Sequence, residues 1–300
     1  MRPGRILAPM ESAYDAIARL YDPWSRSVVE DIEFYVEEAI RSGGPVVELG
    51  VGTGRIAIPT AAAGIDVIGV DSSQGMLDVC AEAAREAGVA ARLDLRRGDL
   101  RDPPVGERVR LVTCPFRAYL HLDDDAARLD ALRAAHRLLL PDGRLVFDVF
   151  APGRDDIEET HARWLEREPG IYERADWDTD AQVLRLSVRG PGGETTMTLS
   201  WLEPARWQAL LAEAGFAAEA VYGWFDRRPY AGGEDTVFVA RADRLLDRLA
   251  CRVQRHPALP VAHLAERLLQ LALAPEIANA QVVELVEGRD GRDRRERLLL

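Results

Sequence analysis

Two rhythms of apolar and polar positions alternate along the first half of the chain. Compact β-branched runs at Val46–Leu49, Asp66–Val70, Arg92–Leu95, Val109–Thr113 and Leu145–Val149 read as strands. Between them lie longer runs with apolar residues three and four apart. One follows Ser72 and reaches Gly88, with Met76, Leu77, Cys80 and Ala84 on a single face. Another opens after Asp123–Asp125, acids that suit a helix N-terminus, and carries Leu129, Leu132 and Leu139 until Pro141-Asp142-Gly143 stops it. Strand, helix and strand repeated in this way predict an α/β fold, a doubly wound parallel sheet with helices on both faces.

The rhythm changes at Phe150. Extended runs at Ile171–Arg174, Val183–Val188 and Thr195–Leu199 follow, the last two flanking the turn Gly190-Pro191-Gly192-Gly193, so they read as an antiparallel hairpin. A helix from Pro204 to Gly215 and strands at Ala218–Trp224 and Thr236–Ala240 complete a seven-stranded domain over residues 1–242, with 151–203 as an inserted antiparallel β segment. Residues 243–300 read as a helical appendage, Arg244–Arg255 and Val261–Ala274, followed by a charged tail beyond Gly288. They form a frayed amphipathic extension or a dimerisation or lid element, and a homodimer is one expectation.

Composition narrows the function. The chain has 300 residues, 38 Lys+Arg against 50 Asp+Glu and a formal net charge of −12. Phosphate backbones are gripped by clustered cations, so nucleic acid is not the expected partner. Cys80, Cys114 and Cys251 are too few and too scattered for a disulfide framework or a zinc ribbon. No run approaches the roughly 18 apolar residues of a membrane helix, and Met1–Glu11 lacks the apolar stretch of a signal peptide. The expectation is a cytoplasmic protein.

The most informative segment is Glu48-Leu49-Gly50-Val51-Gly52-Thr53-Gly54-Arg55, between a strand and a helix. Alternate glycines let a backbone turn tightly and approach a ligand. The spacing is not the dinucleotide fingerprint, because Arg55 stands where its last glycine falls, and no Gly-Lys-Ser/Thr follows for a triphosphate. That spacing counts against a nicotinamide-dependent oxidoreductase. Glu48 would repel a phosphate and suits a ligand carrying positive charge. Asp71 ends the second strand, where such folds accept hydrogen bonds from ribose hydroxyls, and Asp99 follows Gly98 after the third, in reach of an adenine amino group. Three acids on successive strand tips beside a glycine turn form one constellation at the carboxyl edge of the sheet.

This constellation resembles the class I S-adenosylmethionine-dependent methyltransferases. Leu140-Pro141-Asp142-Gly143 and Ala214-Gly215-Phe216 extend the match over roughly residues 10–242, with Asp142 standing where the family commonly has a glycine. The resemblance implies a Rossmann-like seven-stranded sheet with its last strand antiparallel, and S-adenosyl-L-methionine as cofactor. It implies that Gly50, Gly52 and Gly54 line the methionine and ribose portion, that Glu48 faces the amino group, and that Asp71 with Ser72 holds the ribose. Asp99 and Leu100 would flank the adenine, and Cys114 would join the cofactor wall. Met76 would pack on the adenine face, or equally in the core; for Arg55 a surface or helix-start position is expected.

In this family the end of the fourth strand sets the chemistry, and here it reads Cys114-Pro115-Phe116-Arg117-Ala118-Tyr119-Leu120-His121. It lacks the Asn/Asp-Pro-Pro-aromatic element of nucleic-acid amino-methyltransferases and the Asp of metal-dependent catechol-type enzymes. What remains resembles the small-molecule N-methyltransferases of glycine/sarcosine or amino-sugar type, with early Tyr14-Asp15 and Tyr21-Asp22 and a His beyond the fourth strand. That resemblance implies metal-independent methyl transfer to a nitrogen of a small molecule, with His121, Tyr14 and Tyr119 as catalytic candidates. Tyr21, Trp24, Phe116, Arg117 and Trp201 are the candidates for substrate contact. Alternatives are a small-molecule O-methyltransferase and a non-catalytic S-adenosylmethionine-binding regulator. His121 also fits a loop histidine bonded to a carbonyl, and His136, His161, His256 and His263 are assigned to structure or surface.

Overall fold

The computed structural model describes residues 12–25, 29–191 and 193–243. The appendage and tail expected beyond Asp243, Cys251 and the first eleven residues lie outside the described residues. Helices run in chain order as α1 (Ala18–Ser25), α2 (Glu30–Ser42), α3 (Ala57–Ala62), α4 (Gln74–Glu86), α5 (Asp125–Leu138), α6 (Arg154–Thr160) and α7 (Pro204–Glu213). The strands are β1 (Val46–Leu49), β2 (Val67–Asp71), β3 (Leu93–Arg97), β4 (Val109–Cys114) and β5 (Leu139–Phe150). Then come β6 (Trp164–Glu168), β7 (Ile171–Asp178), β8 (Val183–Gly190), β9 (Gly193–Ser200), β10 (Phe216–Tyr222) and β11 (Asp235–Ala242).

Seven strands form one sheet in the order β3-β2-β1-β4-β5-β11-β10, and β6 to β9 form a second, antiparallel sheet. β1 lies parallel to both β2 and β4, with Val46 beside Val67 and Leu111. β11 runs antiparallel to β5 and β10, as the resemblance implies. The central strands are apolar on both faces because both are covered. Val46, Leu111 and Val146 pack with Phe34, Tyr35 and Ala39 of α2. Their neighbours Val47, Val112 and Leu145 pack with Leu132 of α5 and Trp207 and Leu210 of α7.

Caps explain where the helices begin. Ser73 Oγ accepts the Met76 amide at 3.1 Å to open α4, and the Asp124 carboxylate accepts that of Ala127 at 2.8 Å to open α5. Two features differ from the pattern reading. α5 ends at Leu138, so Leu139 is the first residue of β5, and Asp142, at φ 63°, makes a left-handed kink inside that strand. α2 has no counterpart in the sequence reading, although Glu30, Asp31 and Glu33 in its first turn and Gly43 at its left-handed C-cap are ordinary boundary signals.

α2 also carries a buried carboxylate that ties distant segments together. Glu38 is 1% exposed and pairs with Arg41 at 2.7 Å, Arg227 at 2.5 Å and Arg144 of β5 at 2.9 Å. Glu38→Gln removes the buried charge that three guanidiniums share, leaving Arg41 and Arg227 only the more exposed Glu37 and Arg144 only Glu219 at 3.8 Å. It should lower unfolding free energy by about 3 kcal/mol, the scale of a broken buried pair, measured by urea denaturation.

Candidate active site

The tips of β1 and β2 are bound to each other. The amides of Gly50 and Val51 both donate to the Val70 carbonyl, at 2.8 and 3.0 Å. Gly52 N–H donates to Asp71 Oδ2 at 2.9 Å and Ser73 N–H to Asp71 Oδ1 at 2.8 Å. Burial pushes the Asp71 carboxyl above its ordinary value, against the pull of those amides. Over this turn lies a cavity of about 290 Å³, lined by Gly50, Gly52, Asp71, Ser72, Met76 and Leu100 from the sheet side. Gly52 is at φ 55°, and a Cβ built there meets nothing closer than the Gly50 carbonyl at 4.0 Å, so it would stand in open space at the cavity wall. A bare backbone turn beside a carboxylate, with Met76 and Leu100 as apolar walls, fits a nucleoside carrying a short polar chain.

The N-terminal segment roofs this cavity. Asp15 accepts from Ser73 Oγ at 2.6 Å and from Gly75 N–H at 2.9 Å, and Asp22 accepts from Thr53 Oγ at 2.5 Å. Each carboxylate therefore fastens the preceding tyrosine over the glycine turn, and Tyr14 and Tyr21 meet edge to face at 5.8 Å. Tyr14 Oη lies 2.9 Å from His121 Nε2, while His121 Nδ1 lies 3.1 Å from the Thr198 carbonyl of β9. A carbonyl only accepts, so Nδ1 carries the hydrogen and Nε2 offers its lone pair to the Tyr14 hydroxyl. Burial lowers the His121 pKa and keeps the ring neutral.

A second chamber of about 640 Å³ meets the first at Tyr14, Phe116, His121 and Met197, residues that line both. Trp24, Phe150, Trp177 and Trp224 supply its aromatic walls. Among the described residues, Glu30, Asp156, Glu166, Glu173, Glu234 and Asp235 face it against Arg117 and Arg167 alone. Both cations are already paired, Arg117 with Asp235 at 2.8 Å and Arg167 with Glu173 at 2.8 Å.

Residues 46–143 match the family described as a methyltransferase domain. An uncharacterized methyltransferase of Geobacillus kaustophilus is 30% identical over 178 residues, 52% of this chain and 77% of that protein. The chain belongs to the S-adenosylmethionine-dependent methyltransferases. The cypemycin N-terminal methyltransferase of Streptomyces is 27% identical over 231 residues, 73% of this chain and 89% of its own. The CcbJ methyltransferase of Streptomyces caelestis superposes with a TM-score of 0.68 at 26% identity, covering 79% of this chain and all of that one. The cofactor of this methyltransferase is S-adenosyl-L-methionine, and the turn with its open Gly52 fits it.

Of the residues expected at the methyltransferase site, Tyr14, Tyr21, Gly50, Gly52, Asp71, Ser72, Met76, Leu100, Phe116 and His121 come together around the first cavity. Trp24 and Arg117 face the second. Six others lie elsewhere, each for a physical reason. Glu48 is 3% exposed behind the turn, where it accepts the Ala57 amide and burial pushes its pKa up to about 8. Gly54 is needed for packing, since a Cβ there would come within 2.6 Å of Cys80 Sγ on α4. Asp99 turns onto Arg101, whose guanidinium holds its carboxyl below the ordinary range. Cys114 is wholly buried, with burial pushing its thiol up. Tyr119 is a core residue, its ring 5.1 Å from Phe147 and 6.1 Å from Trp207. Trp201 is buried against Trp177 at 5.6 Å.

Arg55 lies just ahead of α3, as the helix-start reading has it, but not at the surface: it makes a bidentate bond to the buried Asp31, at 2.6 Å on both arms, with the guanidinium 4.5 Å over the Phe116 ring. The sequence reading missed Asp148, whose carboxylate holds the loop after β4, because within Leu145–Val149 it reads as one more strand position.

The two inner glycine requirements separate by experiment. Gly52→Ala should leave the fold within about 1–2 kcal/mol of the parent, the cost of a left-handed alanine, yet abolish calorimetric binding of S-adenosylhomocysteine. Gly54→Ala should lower the unfolding free energy by more than that, because its Cβ strikes α4.

A third outcome concerns pH. Glu48 stays protonated in the folded chain up to about pH 8, whereas in the unfolded chain it ionises above the ordinary 4.5. The unfolded state thus binds fewer protons across that window, and its contribution to stability declines as pH rises through it. Glu48→Gln should flatten that decline in urea titrations across the same range.

Proposed function

We propose that this methyltransferase transfers the methyl group to the nitrogen of a small-molecule amine held in the larger chamber, without a metal ion. The observation that carries the reading is the Tyr14–His121 pair at the junction of the two cavities. S-adenosylmethionine, when bound, supplies a methyl group on a sulfonium that is open to in-line displacement. The protein must then hold the acceptor in line, keep water out and take one proton.

An amine arrives largely as an ammonium and attacks only after losing a proton. Neutral His121 Nε2, already accepting from Tyr14 Oη, is the base placed to take it: the ammonium proton passes to the Tyr14 oxygen as the Tyr14 proton passes to Nε2. The resulting imidazolium keeps its Nδ1–H on the Thr198 carbonyl, so the ring need not move.

Charge and aromatic content support a cationic acceptor. With Arg117 paired to Asp235 and Arg167 to Glu173, the other four carboxylates of the chamber, Glu30, Asp156, Glu166 and Glu234, form no salt bridge among the described residues, although Asp156 lies in the field of both guanidiniums. Indole and phenyl faces add about 0.5–2 kcal/mol each toward an ammonium. Similar proteins point the same way: one methylates the N-terminus of cypemycin by its name. A sugar N-methyltransferase of Streptoalloteichus shares the fold with a TM-score of 0.59 at 20% identity, over 81% of this chain and 99% of that one.

Incubation with methyl-labelled S-adenosylmethionine and a panel of amino sugars, amino acids, peptides and hydroxylated metabolites tests the reading. Label should enter amines, and Tyr14→Phe should cut kcat for the best of them by about a hundredfold or more while S-adenosylhomocysteine still binds. Label entering only hydroxyl groups, or full activity of Tyr14→Phe, would overturn it.

A further inference from the structure

The wall between the two cavities is an unusual piece of backbone. Phe116 and Arg117 are consecutive, neither is glycine, and both hold positive φ, 54° and 63°. L side chains adopt that conformation rarely, and two in succession persist only where the surroundings impose it. The imposing group is a single carboxylate. Asp148, on β5 and 5% exposed, accepts Phe116 N–H on Oδ1 at 2.8 Å and Arg117 N–H on Oδ2 at 3.2 Å. Tyr35 Oη of α2 donates to the same Oδ1 at 2.6 Å.

What the turn holds is functional ground. The Phe116 ring lines both cavities, clamped between the Arg55 guanidinium at 4.5 Å and the edge of Tyr21 at 6.3 Å. The Arg117 side chain reaches the larger chamber, over the Phe150 ring at 4.5 Å and paired with Asp235. The next residues form the short helical turn Ala118–His121, which presents His121 to Tyr14.

We propose that Asp148 is a positioning residue for methyl transfer, its two carboxylate oxygens fixing Phe116 and Arg117 in the left-handed turn that sets the wall between cofactor and acceptor. The proposal rests on the larger chamber being the acceptor site. Only a carboxylate serves, because both oxygens must accept. An asparagine would offer one oxygen and turn an N–H₂ group toward one of the two amides, and the turn would open.

The test compares Asp148→Asn with Tyr35→Phe, which loses a bond to the same carboxylate but leaves both backbone amides held. Each full-length variant is titrated with S-adenosylhomocysteine, its 116–118 amides are followed by hydrogen-exchange mass spectrometry, and it is assayed with the fastest amine of the panel. Asp148→Asn should speed exchange in that segment about tenfold. It should lower kcat by about tenfold to a hundredfold, with the S-adenosylhomocysteine Kd changed less than about threefold. Tyr35→Phe should melt earlier yet keep exchange and kcat within about threefold of the parent.

Parental exchange in Asp148→Asn overturns the proposal. So does a Tyr35→Phe variant that loses kcat as far as Asp148→Asn does, because the carboxylate would then serve general stability alone. The exchange measurement needs no acceptor, so failure of the amine reading and failure of the Asp148 role are told apart.

Discussion

The site depends on the bond from the Gly52 amide to the Asp71 carboxylate. β1 and β2 are neighbours by register, but register alone does not say how far the chain leaving β1 stands from the tip of β2. The Asp71 carboxylate closes that gap by accepting from Gly52 on one oxygen and from Ser73, the residue that caps α4, on the other. One side chain thereby fixes the glycine turn, the strand tip and the start of a helix. Asp15 then uses Ser73 again to seat the N-terminal segment. Losing the Asp71 carboxylate would loosen the floor and roof of the cavity together.

The second half of the site comes from a part of the chain that does not belong to the main sheet. β9 supplies the Thr198 carbonyl that fixes the His121 tautomer, and Thr195 Oγ1 donates to the Ala13 carbonyl at 3.0 Å beside Tyr14. The inserted sheet therefore does more than cover the mouth. It sets which nitrogen of His121 is basic and braces the segment that carries its partner. Tyr14 and His121 are 107 residues apart in sequence, and their contact exists because the insertion, the N-terminal segment and the loop after β4 converge on it.

Much of this was legible from residue order. The alternation of β-branched and amphipathic runs carries the doubly wound sheet, and Gly50, Gly52, Asp71 and Leu100, singled out by motif, all line one cavity. What escaped is what depends on which partner each side chain takes up. Gly54 looks like a third ligand glycine, but its need for a bare Cα comes from Cys80, on a helix two elements away. Asp99 sits at a strand tip as expected, yet Arg101 two residues later captures it. Tyr119 and Trp201 read as site aromatics because aromatic character does not say which way a ring faces, and here both face the core. Asp148 was hidden by the opposite error, a polar residue in an apolar strand that period alone cannot distinguish from a solvent-facing position.

The same local bonds explain why this turn suits a sulfonium nucleoside and not a pyrophosphate. A strand-to-helix turn binds phosphate when the first amides of its helix, or a nearby cation, point at the ligand. Here the Ala57 amide at the start of α3 is given to Glu48, and the Ile58 amide to the Gly54 carbonyl at 2.9 Å. The Arg55 guanidinium is given to Asp31 and laid on Phe116. The groups that would attract an anion are engaged inside the protein, and the Asp71 carboxylate is left at the cavity. Discrimination between the two ligand classes thus lies less in the count of glycines than in where these amides and Arg55 are already bonded.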